Sequence, residues 1–579
     1  MKIVTFSVVA AVGVISLSAC QTTPPPSAPL VSPKNTTSTY TQHDMIATAN
    51  PMAAAAGREI LRAGGSAVDA TIAAQMVLTL VEPQSSGIGG GAFLMHYDKR
   101  SGAVDSYDGR ETAPRSATPE MFLKTDGTRK KFYDAAVGGS SVGVPGVMRM
   151  LEIAHRDHGK LPWKDLFQPA ITLAENGFVI SPRLAELIAK DRYLKTIPGT
   201  KAYFYENDGS PKTAGTVLKN PDLVVSFKTL AEKGASALYE GEIAEGIVNT
   251  VRHASKNPSG MTIADMVAYQ AKKRPPVCMD YHQWKVCGMG PPSSGGLTTL
   301  QILGIVEQFD MGTLQPFGAN AVHLIAEASA LAFGDRNTYI ADPDQIPVPT
   351  LGLINKGYLQ IRAGEISKLK AGGKRFPGMP GLSGALNFAP SENEHGLSTT
   401  HMSIIDGEGN AVSMTSSIEN AFGSRLMSGG FLLNNQLTDF SFYPSRKGVP
   451  IANRAGPGKR PRSSMSPTLV LDESGKLVMA IGSPGGSRII GYVAKTVIAA
   501  LDWKMDMDAA IDAPNFVNLN GSTDLEKGTA LESLKPALEN MGHKVKLVGM
   551  TSGLHGIRVT KYGLEGGADR RREGVAIGD

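Results

Sequence analysis

Two adjacent threonines at the start of a predicted strand constrain this chain more than any other feature of its 579 residues. Positions 396–405 read Gly-Leu-Ser-Thr-Thr-His-Met-Ser-Ile-Ile, followed by an Asp-Gly-Glu-Gly-Asn turn. A threonine hydroxyl is a weak nucleophile unless a base adjoins it, and cutting the preceding peptide bond frees the threonine's own α-amino group for that task. The ordinary pKa of this group, about 8, leaves part of it neutral near pH 7. Thr399 is therefore a candidate nucleophile, although β-branched residues also suit strands for packing reasons alone.

The residues after this strand favour the catalytic interpretation. Positions 410–423 read Asn-Ala-Val-Ser-Met-Thr-Ser-Ser-Ile-Glu-Asn-Ala-Phe-Gly. They closely resemble the signature of γ-glutamyltranspeptidases, N-terminal-nucleophile hydrolases that cleave themselves before this threonine. Further blocks occur in the family's order, from about residue 45 to the C-terminus: Glu82-Pro-Gln-Ser-Ser-Gly-Ile-Gly-Gly-Gly91, Arg110-Glu-Thr-Ala-Pro114, Pro291-Pro-Ser-Ser-Gly-Gly296, Leu433-Asn-Asn-Gln-Leu-Thr-Asp-Phe440, Lys459-Arg-Pro-Arg-Ser-Ser-Met-Ser-Pro467 and Gly482-Ser-Pro-Gly-Gly-Ser-Arg488.

The resemblance implies an α+β fold, an αββα four-layer sandwich in which two stacked sheets lie between helical layers. It also implies self-cleavage between Ser398 and Thr399, which yields a heavy subunit over 45–398 and a light subunit over 399–579 that remain together as a heterodimer. Thr399 would then attack γ-glutamyl amides, such as glutathione and its conjugates. The γ-glutamyl group would pass to water or to amino-acid and peptide acceptors, with no cofactor and no metal.

Two features beside the nucleophile are expected to take part in the chemistry. Ser417 stands where the family signature has threonine, and a serine hydroxyl can also hydrogen-bond the nucleophile and assist self-cleavage. Gly485 and Gly486 lie just after a predicted strand and just before a predicted helix. Such a turn can leave two backbone N–H groups pointing outward, which suits an oxyanion hole.

The donor's α-substituents are the expected basis of substrate recognition. The guanidinium fork of Arg110 can hold a carboxylate through two hydrogen bonds, and the resemblance assigns it to the donor's α-carboxylate. A surface ion pair is the alternative for an arginine flanked by acidic residues. By the same resemblance, Ser463 and Ser464 hold the carboxylate from the other side, while Asp439, Glu419 and Gln436 surround the α-ammonium. Tyr443 lies in a shortened loop after Asp439 and is a candidate lid residue.

The N-terminus predicts export. Residues 1–19 carry one lysine, then an apolar stretch too short to span a bilayer comfortably, then small residues, as in a signal peptide. Leu17-Ser-Ala-Cys20 also resembles the bacterial lipoprotein box, in which the cysteine is lipidated; an ordinary signal peptide with an incidental cysteine is the alternative. Residues 20–44 are rich in Pro, Ser and Thr and suit a tether. We predict a periplasmic lipoprotein anchored to the membrane by Cys20, and Gln21 favours the outer membrane.

The two remaining cysteines, Cys278 and Cys287, bracket eight residues with the pattern of a β-hairpin. Their sulfurs could face each other and form a disulfide in an oxidising periplasm. Two unpaired thiols are the alternative. A metal site is not expected, because no second Cys or His pair accompanies them at ligand spacing.

Two other motifs imitate functional sites. Gly139-Ser-Ser-Val-Gly143 matches a serine-hydrolase elbow, yet Val144-Pro145 follows where a helix must begin. Gly87-Ile-Gly-Gly-Gly-Ala92 imitates a dinucleotide loop, yet it leads into a strand instead of a helix, and we interpret it as structural. The net charge of +5 forms no local basic stripe, which indicates no nucleic-acid role.

Hydrophobic periodicity and turn residues predict the regular elements. Helices are expected over Ala53–Ala63, Ser66–Val81, Trp163–Asn176, Pro182–Asp191, Glu242–Ala254, Leu297–Phe309, Asn320–Phe333 and Ser487–Asp502. Strands are expected over Ala92–Asp98, Thr400–Asp406, Ala411–Ser416, Thr468–Leu471 and Val478–Gly482.

Two other functions are alternatives to the γ-glutamyltranspeptidase hypothesis. Cephalosporin and glutaryl β-lactam acylases resemble this family in fold and in their N-terminal nucleophile, but they act on a different head group. A surface lipoprotein that kept the fold as a non-catalytic binding module is the second alternative. The presence of Thr399, Gly485 and Gly486 counts against it.

Overall fold

The computed structural model describes residues 1, 2, 4, 5, 38–381, 387–391, 396 and 398–579. Cys20, most of the predicted signal peptide and most of the predicted tether lie outside the described residues, so those interpretations stay predictions. Among the helices of the described residues, none combines the length and the apolar character needed to cross a membrane.

Two seven-stranded sheets with antiparallel neighbours form the centre of the protein. The first runs, in spatial order, through Thr39–Thr41, Gly563–Ala568, His555–Thr560, Leu477–Gly482, Thr468–Leu471, Trp284–Gly288 and Val277–Tyr281. The second runs through Val575–Gly578, Met45–Thr48, Thr400–Ile405, Ala411–Ser417, Gly91–Tyr97, Val104–Gly109 and Lys272–Arg274. Each sheet contains strands from both predicted subunits, so neither sheet is complete without both.

The sheets lie face to face, and residue alternation along Thr400–Ile405 shows why. Met402 and Ile404 pack into the core between the second sheet and its helices. Ser403 points the other way and donates a hydrogen bond to the His555 carbonyl of the first sheet at 3.1 Å. Successive side chains of a strand point to opposite faces, so this one strand contacts both neighbouring layers.

Helices cover both outer faces. Pro51–Arg62, Ala67–Val81 and Val147–His158 pack on the second sheet, while Gly295–Val306 and Ile489–Leu501 pack on the first, with Ala319–Tyr339 beside them. The predicted αββα arrangement is therefore confirmed. The remaining helices are Phe132–Ala136, Gln168–Asn176, Pro182–Lys190, Pro198–Phe204, Pro221–Lys233, Glu242–Arg252, Ile263–Val267, Thr350–Leu353, Lys356–Ala363, Met507–Asp512 and Lys535–Asn540.

Four small sheets complete the described elements. They pair Phe178–Val179 with Val217–Leu218, Met427–Ser428 with Phe431–Leu432, and Ser445–Arg446 with Val449–Pro450, and they join Phe516–Asn518, Thr523–Glu526 and Val545–Val548. Cys278 and Cys287 lie opposite each other on neighbouring strands of the first sheet and form a disulfide. The sequence allowed either a disulfide or two unpaired thiols, and the structure contains the disulfide.

Several boundaries differ from the predictions. Thr39–Thr41, placed in the tether by its composition, pairs with Gly563–Ala568 as an edge strand, so the fold begins before residue 45. Trp163–Phe167 is a 3-10 turn, and the α-helix begins at Gln168 with a proline in its first turn. The helix predicted over Asn320–Phe333 continues to Tyr339. The extension buries two charged residues that have partners: Asp335 accepts a hydrogen bond from Gln301, and Arg336 donates one to Ser294.

Candidate active site

A pocket with about 290 Å³ of empty space, part of it open solvent, lies in front of Thr399. Of the predicted catalytic and substrate-binding residues, all except Arg110 and Gly485 line it. The lining consists of Gly396, Thr399, Ser417, Glu419, Gln436, Asp439, Ser463, Ser464, Met465, Gly486 and Ile489. Residues from widely separated parts of the light chain thus converge on the candidate nucleophile. Tyr443, the candidate lid residue, is not part of this lining.

Neighbouring strands bring Thr399 and Ser417 together. Thr400 pairs with Ser416 in the antiparallel register, so the residues just beyond this pair lie side by side at the same end of the sheet. The Ser398–Thr399 peptide bond is intact, and its carbonyl accepts hydrogen bonds from Thr399 Oγ1 at 2.6 Å and from Ser417 Oγ at 3.0 Å. The two hydroxyl oxygens are 3.2 Å apart. This geometry suits attack by the threonine hydroxyl on a carbonyl that Ser417 polarises.

The scissile bond is held from both sides. Ser398 Oγ donates to the Gln84 carbonyl at 2.7 Å, and Ser398 N donates to the Glu419 carbonyl at 3.3 Å. On the other side, Arg572 Nη1 donates to the Thr399 carbonyl at 2.8 Å. The sequence did not identify Gln84 or Arg572 as site residues. Gln84 lies in block 82–91, which resembles the family, so the sequence could have identified it as a site residue. Arg572 lies in none of the blocks that resemble the family.

The predicted oxyanion turn has the required backbone conformation. Gly485 and Gly486 have φ values of 134° and 59° and connect the strand Leu477–Gly482 to the helix Ile489–Leu501. A β-carbon on Gly485 would lie 2.7 Å from the Tyr492 ring. Within the part of the chain that the structure describes, neither glycine N–H donates a hydrogen bond. Both amides are therefore available to an oxyanion.

Arg110 lies behind the cavity wall. Its side chain is fully buried, and its Nη2 donates to Asp439 Oδ2 at 2.5 Å and to the Arg462 carbonyl at 2.9 Å. Its Nη1 is 3.6 Å from Glu111 Oε2 and has no hydrogen-bond acceptor among the described residues. In this structure Arg110 orients Asp439 and does not line the cavity, so its direct contact with a donor carboxylate stays a prediction.

Two buried acceptors in the cavity lack a donor. Gln436 donates to Asp439 Oδ2 at 2.7 Å, and Asn435 donates to Glu419 Oε2. Glu419 Oε1 and Gln436 Oε1 are buried without a hydrogen-bond donor in the described parts of the chain. Buried polar atoms normally have partners, and both residues line the cavity, so a ligand that enters it can supply the donors.

Glu419 is placed by an unusual backbone conformation. Its φ of 80° lies in the left-handed region, which a non-glycine residue adopts at a cost. A β-carbon on Gly396 would collide with Glu419 Oε1, so the glycine makes room for the carboxyl group. Burial raises the pKa of Glu419 well above its usual range, and the nearby Asp439 carboxylate adds to this. An arriving cation would favour the ionised form.

Ser463 and Ser464 form the opposite wall. Ser463 Oγ accepts a hydrogen bond from Met465 N at 3.1 Å, which leaves its own hydrogen to donate. Ser464 Oγ accepts from Arg336 Nη2 at 2.5 Å. The extension of the helix Ala319–Tyr339 beyond its predicted end therefore supports the site.

Comparisons with known proteins agree with this geometry. The family model described as Gamma-glutamyltranspeptidase matches residues 53–579. The glutathione hydrolase proenzyme of Bacillus subtilis (strain 168) is 36% identical over 546 residues, which cover 92% of this chain and 91% of the relative. The glutathione hydrolase proenzyme of Escherichia coli (strain K12) is 37% identical over 546 residues, covering 91% and 90%.

A solved structure shares the fold over almost its whole length. The cephalosporin acylase from Bacillus halodurans superposes with a TM-score of 0.82 at 27% identity, covering 96% of this chain and 99% of that chain. The four-layer fold is thus common to the γ-glutamyl and acylase branches, and the head-group pocket must distinguish them. The chain belongs to the γ-glutamyltranspeptidase family.

Proposed function

We propose that this protein is a γ-glutamyltransferase and glutathione hydrolase that cleaves itself before Thr399. It then transfers the γ-glutamyl group of glutathione and related amides to water or to amino-acid and peptide acceptors. Family membership and the two relatives named as glutathione hydrolase proenzymes support this activity. The observation that carries the choice of donor is the pair of unpartnered buried acceptors, Glu419 Oε1 and Gln436 Oε1.

Self-cleavage follows from the contacts of the Ser398 carbonyl. Thr399 Oγ1 attacks the carbonyl carbon, while the Ser417 hydroxyl stabilises the developing charge on the carbonyl oxygen. The hydroxyl proton of Thr399 passes to the departing nitrogen, the peptide C–N bond breaks, and Ser398 is held as an ester on Thr399. Water then hydrolyses this ester. The products are a carboxylate on Ser398 and a free α-amine and free hydroxyl on Thr399.

Turnover uses the same hydroxyl a second time. The freed amine takes the hydroxyl proton as Thr399 Oγ1 attacks the γ-carbonyl carbon of the donor. The N–H groups of Gly485 and Gly486 stabilise the oxyanion, and the leaving amine departs with the proton. Water or an acceptor amine then attacks the γ-glutamyl ester and regenerates Thr399.

The cavity favours a γ-glutamyl donor over a glutaryl amide. An α-ammonium group can donate to Glu419 Oε1 and Gln436 Oε1, whereas a glutaryl group carries no such donor and leaves both unpaired. Buried polar groups that stay unpaired reject an analogue strongly, by about four to five orders of magnitude in the most selective sites. This disfavours the acylase alternative, and the intact contacts of Thr399, Ser417 and Gly486 disfavour a non-catalytic module.

The first prediction concerns maturation. Wild type should run as two chains on a denaturing gel, with the smaller beginning at Thr399, whereas Thr399→Ala should remain one chain. Ser417→Ala removes the hydroxyl that polarises the Ser398 carbonyl, so its cleavage should slow by roughly a hundred-fold or more. Ser416→Ala, one residue away on the opposite face of the strand, is the matched control and should mature normally. Wild type that hydrolyses γ-glutamyl-p-nitroanilide while uncut would contradict this mechanism.

The second prediction concerns the pH dependence of donor recognition. Because the Glu419 pKa is raised, the carboxyl group of the empty site is neutral at low pH and becomes a carboxylate as pH rises. The carboxylate binds the donor ammonium more strongly, so the ratio of kcat/KM between wild type and Glu419→Gln should grow with pH. We expect near-equality at low pH, where the carboxyl group is neutral, and a roughly ten- to hundred-fold advantage of wild type once the carboxyl group has ionised.

A glutaryl amide is the control substrate, since it has no ammonium. Wild type and Glu419→Gln should hydrolyse it equally at every pH. If wild type prefers the glutaryl amide, and Glu419→Gln is harmless toward both substrates, the acylase assignment replaces this one.

We also propose that the protein is exported and anchored by a lipid on Cys20, which rests on the sequence alone. The third prediction is that Cys20→Ser moves the protein out of the outer-membrane fraction, because several acyl chains hold a lipoprotein firmly where one binds only marginally. Catalytic activity should be unchanged. An unaltered distribution between membrane and soluble fractions would refute the anchor.

A further inference from the structure

Arg572 reaches the candidate nucleophile from the opposite end of the light chain. Its Nη1 donates to the Thr399 carbonyl at 2.8 Å and its Nη2 donates to the Thr551 carbonyl at 3.1 Å. The side chain is only 7% exposed. Self-cleavage would turn Thr399 into a chain terminus, and this contact would then hold the terminus from the side away from the cut.

The segment that carries Arg572 is itself firmly held. The Asp569 carboxylate accepts hydrogen bonds from Ser552 Oγ and from Arg571 N. Arg571 forms an ion pair with Glu526 as well. Arg572 is therefore presented to Thr399 by a segment whose position does not depend on the cleaved bond.

The charges around Arg572 leave it a cation. Burial lowers the pKa of Arg572 to about 10, with Arg183 adding to the decrease, so the guanidinium stays charged at neutral pH. Glu82 and Asp569 are its nearby acids. Burial raises the pKa of Glu82 to about 7, and the Asp569 carboxylate also pairs with Arg571 and accepts a hydrogen bond from Ser552, so both acids divide their charge among several partners. Arg183 Nε lies 3.8 Å from Glu82 Oε1 and competes for the same carboxyl group.

This cation lies close to the amine that self-cleavage releases. Arg572 Nη1 is 2.8 Å from the Thr399 carbonyl oxygen, and a residue's own nitrogen and carbonyl oxygen are about 3 Å apart, so the Thr399 nitrogen lies within roughly 6 Å of Arg572 Nη1. A like charge at this distance disfavours the protonated amine. The acidic groups of the empty cavity oppose this effect less than free carboxylates would, because burial raises the pKa of Glu419 and so favours its neutral form, and Asp439 is paired with Arg110.

We propose that Arg572 is a positioning residue that holds Thr399 after self-cleavage and keeps its freed amine unprotonated, and so able to act as a base, near neutral pH. The inference rests on the function proposed above, in which that amine is the base. Arg572 would then have two roles. Its hydrogen bond fixes the position of Thr399, and its positive charge lowers the pKa of the freed amine.

The fourth prediction separates the charge from the hydrogen bond. Arg572→Gln keeps an N–H donor but removes the positive charge. Arg572→Lys keeps the charge but loses the guanidinium group, whose two Nη atoms donate to two different carbonyls. Arg570→Gln is the matched control, since Arg570 lies in the same segment, is exposed and pairs with Asp508 instead. All three variants should cleave themselves, because Arg572 does not contact the Ser398 carbonyl.

The measurement is N-acetylation of Thr399 by acetic anhydride, which modifies only unprotonated amines, followed against pH by mass spectrometry of the peptide that begins at Thr399. In wild type the midpoint should lie about one pH unit below the ordinary value near 8. Arg572→Gln should raise the midpoint by about one unit, while Arg572→Lys and Arg570→Gln leave it in place. In the pH profile of kcat, the midpoint of the rise on the acidic side should shift by the same amount as the acetylation midpoint. The same shift should occur when each variant also carries Glu419→Gln.

A wild-type midpoint at or above 8, or the same midpoint in Arg572→Gln, would overturn the inference. An Arg572→Gln protein that folds but stays uncut would overturn it too, by giving Arg572 a role in maturation. If acetylation of Thr399 leaves activity intact, the proposed function fails instead, because its base would be blocked without effect.

Discussion

The hydrogen bonds to the Ser398 carbonyl are the constraint on which the rest of the structure depends. Two hydroxyls, from Thr399 and Ser417, meet at this oxygen because adjacent antiparallel strands end together. Both sheets contain strands from either side of Thr399, so the framework that holds the scissile bond is built from both parts of the chain.

The polarity of the cavity determines what the nucleophile can act on. Arg110 and Gln436 hold Asp439, while Glu419 keeps one oxygen available in a buried wall. Removing such groups from water is expensive unless a partner arrives. A donor that carries both an ammonium and a carboxylate pairs these groups, which explains how a fold shared with an acylase can select a γ-glutamyl head group.

Much of this site could be predicted from sequence because its residues lie in contiguous blocks. Thr399, Ser417 and the glycine turn are local patterns, and helix and strand positions follow from periodicity. Arg572 could not be predicted, since its contact with Thr399 joins positions far apart in the chain. The pairing of Arg110 with Asp439 was also missed, because sequence assigned each of them to substrate and not to the other. The edge strand Thr39–Thr41 was missed because its composition is that of a tether.

During turnover the hydroxyl of Thr399 carries the γ-glutamyl group. Mass spectrometry of peptides from enzyme that is quenched in acid while it consumes a γ-glutamyl donor tests this directly. We expect an adduct with the mass of one γ-glutamyl group on the peptide that begins at Thr399. The adduct should be labile to base and absent when a glutaryl amide replaces the donor. An adduct on any other residue, or full turnover by uncut chain without one, would contradict this role of Thr399.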